Sequence, residues 1–151
     1  MEKIFHLDSP RTHYHCDAAV VWCFDHRFSV ALRKTLQRVG ISHPDIIQVA
    51  GGAKALASSE DATGREFLLD QIQKSKRLHG TDRVVLMVHS DCGAYGGLAA
   101  FGGDAKLEAQ HHAAELARAA ARIEQNIPGM KVAGYHVDFD GVWAAYPESS
   151  R

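Results

Sequence analysis

Two short tracts hold the side chains best suited to chemistry. Cys23-Phe24-Asp25-His26-Arg27 puts a thiol, a carboxylate, an imidazole and a guanidinium within five residues. His89-Ser90-Asp91-Cys92-Gly93 puts an imidazole and a second thiol three residues apart. Two thiolates and one imidazole, with a fourth position left over, form a ligand set that suits zinc. Cys23, His89 and Cys92 are the candidate ligands, one metal ion per chain. Asp25 is either the fourth ligand or the group that orients water on the metal. Arg27 can take the Asp25 carboxylate as a bidentate pair and hold it off the metal. Charge arithmetic agrees, since two thiolates neutralise the ion and a third anion would leave the site at −1. C-x-D-x-R therefore reads as a switch between a closed site and an open one, with Asp25 and Arg27 as the catalytic pair. His26 borders this site and is either a proton shuttle or a helix cap.

The elements that must position these tracts follow from hydrophobic period. Asp17 to Phe24 is a nearly continuous apolar run, the mark of a strand buried on both faces. From His26 to Val39, Phe28, Leu32, Leu36 and Val39 recur at helical spacing, and Gly40 stands as a C-terminal cap. Pro44 to Ala50 is a second strand, ended by Gly51 and Gly52. Thr63 with Glu66 has the form of a capping box for a helix that runs to His79, before Gly80. Arg83 to His89 is a third strand, Asp104 to Asn126 a helix, and Lys131 to Phe139 a fourth strand. Val142 to Tyr146 is short enough for a fifth strand, antiparallel if the Asp140-Gly141 turn reverses the chain.

Strands alternating with helices predict an α/β fold with a central, mostly parallel sheet of order 2-1-3-4. In that order the first and third strands are neighbours. Both tracts then lie at one crevice beyond the strand ends, where such sheets bind ligands. The 151 residues form a single domain, with residues 1–16 an irregular arm.

Composition removes several function classes. Seventeen basic and 18 acidic residues give a net charge of −1, which offers no field for nucleic acid or an anionic membrane. The longest apolar run, Ala18 to Phe24, is far short of the ~20 residues a membrane span needs. No hydrophobic signal segment precedes His6, Asp8 and Arg11, so a cytoplasmic protein is expected. Three cysteines in such a chain argue for metal binding or catalysis over disulfides.

C-x-D-x-R followed by H-x-x-C-G resembles the β-class carbonic anhydrases, over roughly residues 17–140. Ala50-Gly51 after the second strand, the apolar third strand and the small-residue loop after Cys92 fall where that family has them. The resemblance implies zinc on Cys23, His89 and Cys92, and an Asp25–Arg27 dyad. It implies reversible hydration of carbon dioxide to bicarbonate and a homodimer or higher homo-oligomer. It also differs from the family's usual form. His26 stands where a small residue is usual, Gln48-Val49 where Arg-Asn is frequent, and the N-terminal arm is short. Phe28, Tyr95 and Gly93 flank the two tracts and are candidate walls for a small apolar substrate.

Other readings stay open. Cys23, Asp25, His89 and Cys92 could close around a structural zinc in a non-catalytic binding protein. The same site could act on a carbon dioxide analogue such as carbonyl sulfide or carbon disulfide. Cys92 as a thiolate nucleophile is weaker, since Leu98 stands where a phosphate-binding arginine would be wanted. His13, His15 and Cys16 read as part of a polar arm rather than a second metal cluster. His111 and His112 point about 100° apart on a helix and cannot share one ion well.

Overall fold

The five residues of Ala18–Trp22 (β1), all buried, form an interior strand of the sheet in a computed structural model that describes residues 1–147. β1 is flanked by Pro44–Gln48 (β2) and Arg83–His89 (β3), both parallel to it. Lys131–Val137 (β4) pairs parallel with β3, and Val142–Tyr146 (β5) pairs antiparallel with β4. The order is β2-β1-β3-β4-β5, so the expected arrangement and the reversed fifth strand are both present. The four residues 148–151, assigned with the rest to a single domain, lie outside the described residues.

Alternation along β1 divides the core into two layers. Ala19 and Val21 pack with Leu86 against the helices Ala62–His79 (α3) and Ala105–Asn126 (α4), through Leu68, Ile72, Leu116 and Ile123. The short helix Lys54–Ala57 (α2) adds Leu56 to that layer. Val20 and Trp22 face the other way, with Val85 and Met87, against Leu36 of Ser29–Arg38 (α1). Each fully buried side chain of the size of Val or Leu contributes about 1.5–3 kcal/mol, and both faces of β1 and β3 are buried in this way.

Several element ends differ from expectation. α3 is capped by Asp61, whose carboxylate accepts the Gly64 N–H at 2.8 Å; Thr63 lies inside the first turn, so there is no Thr63–Glu66 capping box. His26–Phe28 is a separate 3₁₀ turn before α1. Its cap is Asp25, which accepts the Arg27 N–H at 3.0 Å, so His26 is not the cap. α1 ends as the glycine predicts: Gly40, at φ +73°, donates to Gln37 and Ile41 donates to Leu36, a Schellman closure. The N-terminal arm has no helix or strand, yet its last residue, Cys16, is buried beside the Ala18 and His43 carbonyls.

Candidate metal centre

Cys23 directly follows β1 and His89 closes β3, so parallel pairing brings them to the same C-terminal end of the sheet. The turn after His89 returns Cys92 to that end. Gly52, at φ +56°, makes the close approach possible: a Cβ there would stand 2.3 Å from the Met87 carbonyl oxygen and 3.2 Å from the Cys23 nitrogen. The loop after β2 therefore packs directly on the strand ends beneath Cys23.

The ligand atoms of Cys23, His89 and Cys92 all lie within 4.8 Å of one another, and all three residues are buried. The two sulfurs are 4.0 Å apart. Tetrahedral zinc with sulfur at about 2.3 Å would want about 3.8 Å, so the spacing fits with little movement. His89 supplies the sharper test. Its Nδ1 is 2.8 Å from the Ser90 carbonyl oxygen, which only accepts, so Nδ1 carries the proton. Nε2 is then left with its lone pair, buried and without a hydrogen-bond partner. A carbonyl that fixes the tautomer of a ligand histidine is the usual support of a metal site. Burial lowers the His89 pKa, keeping the ring neutral, while burial and the facing Cys23 raise the Cys92 thiol. The neutral ring is ready to ligate as it stands, and a divalent cation would bind the thiols by displacing their protons.

Asp25 is held off this cluster by Arg27. Arg27 Nε donates to Asp25 Oδ1 at 3.1 Å and Oδ2 at 3.0 Å, and Nη2 donates to Oδ2 at 2.7 Å. These bonds pull the Asp25 pKa down to about 2. Asp25 Oδ2 remains 3.9 Å from His89 Nε2, close enough to reach a ligand position on a small movement. His26 is exposed and lies next to this pair in the chain.

Of the expected pocket residues, Phe28 stacks on His89 with ring centres 4.8 Å apart, and Trp22 approaches the same ring at 5.6 Å. A Cβ at Gly93 would meet nothing within 4 Å. Tyr95 is committed elsewhere: its hydroxyl donates to Glu115 at 2.6 Å and its ring packs on His112 at 4.5 Å.

Sequence reasoning passed over a buried polar layer behind the site. Asp91 reaches Arg27, and its N–H donates to Glu108, which is fully buried. His112 and His136 are also buried, with their Nδ1 atoms 3.2 Å apart, and His136 lies 3.3 Å from the Ser90 hydroxyl. These two histidines belong to the core rather than to the solvated surface. Among the described residues, His13 and His15 form no metal-binding group, and Cys16 is a core residue rather than part of a polar arm.

A family described as "Putative carbonic anhydrase" matches residues 13–145. The chain belongs to that family. The chain's α/β architecture is the one found in β-carbonic anhydrases. The β-carbonic anhydrase isoform I of Trichomonas vaginalis superposes with a TM-score of 0.60 at 15% identity, covering 93% of this chain and 87% of that one. A carbonic anhydrase from Streptococcus mutans gives 0.57 at 20% identity, covering 88% and 83%. In sequence, an uncharacterised protein of Rickettsia conorii is 27% identical over 129 residues, 82% of this chain and 68% of its own length. Among the described residues, no helix of this carbonic anhydrase-like chain is long and apolar enough to cross a membrane.

Proposed function

We propose that the protein catalyses zinc-dependent reversible hydration of carbon dioxide to bicarbonate. The observation that carries this reading is the lone pair of His89 Nε2, buried and unpartnered, facing two thiols at tetrahedral spacing. Cys23, His89 and Cys92 would hold one zinc ion per chain. When bound, zinc would lower the pKa of water toward neutrality and so supply hydroxide for a small electrophile.

The chain's own residues do the rest. Ser90 holds the His89 ring in the tautomer that leaves Nε2 free. Arg27 occupies both oxygens of Asp25, leaving the fourth position open to water. Held there, the ionised Asp25 can accept a hydrogen bond from a hydroxyl group and so orient that group's oxygen toward substrate. Phe28 covers the His89 ring and makes one wall apolar, which suits a linear, uncharged molecule. Two-oxygen capture of Asp25 by Arg27 favours this open arrangement over a structural site closed by four protein ligands.

The same reading makes the protein a cytoplasmic homodimer or higher homo-oligomer, with Ile4, Phe5 and Leu7 of the arm exposed and available for burial. The deciding experiment is stopped-flow carbon dioxide hydration by zinc-loaded protein from about pH 6.5 to about pH 9. Rates that rise with pH support the proposal. A rate equal to buffer at every pH overturns it, and turnover of carbonyl sulfide or carbon disulfide in the same assay would reassign the substrate.

A further inference from the structure

Asp91 is the only non-glycine residue with positive φ, +53°, among the described residues. Side chains rarely adopt that conformation, so something must hold it. Its N–H donates to Glu108 Oε1 at 2.8 Å, and its Oδ1 accepts the Leu98 N–H at 3.0 Å. Gly97 makes room for that carboxylate, since a Cβ there would stand 2.9 Å from Asp91 Oδ1. So placed, Asp91 turns two acceptors toward Arg27. Its Oδ2 takes Nη1 and its carbonyl oxygen takes Nη2, each at 3.0 Å.

Glu108 is costly for what it does locally. Its carboxylate is fully buried, and Oε2 has no hydrogen-bond partner. It is not needed to cap α4, because Asp104 already accepts the Lys106 and Leu107 N–H groups. The one bond it makes to another element is to Asp91. We infer that Glu108 and Asp91 are positioning residues that fix Arg27, and through it set whether Asp25 stays off the metal. The inference deepens the proposed function and rests on it. Arg27 is gripped by a carboxylate on each side and cannot follow Asp25 toward the metal. Without the Asp91 side, the half-exposed guanidinium loses two of its five hydrogen bonds and Asp25 is released toward the fourth ligand position.

The test uses protein loaded with cobalt(II), whose visible spectrum reports coordination, titrated with azide as a probe of the open position. Wild-type protein should bind one cobalt per chain and take up azide. Asp91→Gly tolerates the positive φ, and Glu108→Leu removes the buried acceptor. Both should keep their cobalt but bind azide about tenfold more weakly, the worth of one charge-assisted hydrogen bond. Glu108→Gln, which retains an oxygen for the Asp91 N–H, should restore wild-type affinity. Deleting a negative charge would by itself tighten an anion, so weaker binding cannot be a simple field effect. The Asp91 side chain is part-exposed, so Asp91→Gly carries the test if Glu108→Leu fails to fold. Unchanged or tighter azide binding in cobalt-replete Asp91→Gly overturns the inference alone. A wild-type protein that takes up no metal overturns the proposed function as well.

Discussion

Asp25 Oδ2 sits 2.7 Å from Arg27 Nη2 and 3.9 Å from His89 Nε2, so one carboxylate stands between a cation it already holds and a ligand atom it could join. The first contact keeps it where it is. The distance to the second shows how little displacement would change its role.

Arg27→Ala should therefore leave zinc content at one per chain while carbon dioxide hydration falls about a hundredfold or more. Arg27→Lys should not restore it, because a point charge cannot take both carboxylate oxygens as the guanidinium does. Metal analysis beside stopped-flow rates checks both, and a fully active Arg27→Ala protein would remove the dyad from the mechanism.

Metal should stabilise the fold, because its ligands would tie the ends of the neighbouring strands β1 and β3 and the turn beyond β3 together. At a hundredfold excess over Kd the gain is about 2.7 kcal/mol, or roughly 5–11 °C in Tm for a chain of this size. Cys92→Ser should lose both the zinc and this gain. A chelator that leaves Tm unchanged would show that no metal links β1 to β3.

Gly52→Ala should cost about 2 kcal/mol or more, since its Cβ would collide with a backbone carbonyl and the φ of +56° is strained for alanine. Urea unfolding measures it. A midpoint within error of wild type would mean the loop after β2 can lift from the strand ends.

Acid should weaken the fold before most carboxylates titrate. Burial and His136 push His112 down to about 3, so the folded protein keeps it neutral while the unfolded chain protonates near 6.5. This contribution is complete above about pH 6.5 and is lost as pH falls toward 3, at about 1.4 kcal/mol per pH unit per histidine. Asp25, held low, acts in a lower window and loses its contribution between about pH 4 and about pH 2. His112→Phe should flatten the dependence between about pH 6 and about pH 4. Equal slopes for the variant and wild type would contradict the assignment.

Much of this was legible in the residues themselves. Runs such as Ala18–Trp22 and Arg83–His89 are too apolar for anything but central strands, and parallel pairing then forces the two tracts together. Thr63 and Glu66 have the spacing of a capping box, but Asp61, two residues earlier, takes the cap by accepting the Gly64 N–H with no reciprocal partner at that position. Glu108 and His112 were passed over for a different reason. They fall on the same helical stripe as Leu116, Ala119 and Ile123, which the structure buries. A carboxylate and an imidazole on a core-facing stripe are a signal in their own right, but one that shows only when the register of the stripe is followed to its end. Asp91 was visible as a residue, while its backbone twist was not.

Trp22 gives the molecule an optical reporter. It is fully buried with its ring 5.6 Å from that of His89, whereas Trp143 is 56% exposed, so the two tryptophans should emit at distinguishable wavelengths. The shorter-wavelength component then senses the charge and occupancy around His89 directly. Arrival or departure of an ion at the strand ends can be timed in unlabelled protein, by watching one indole brighten or dim.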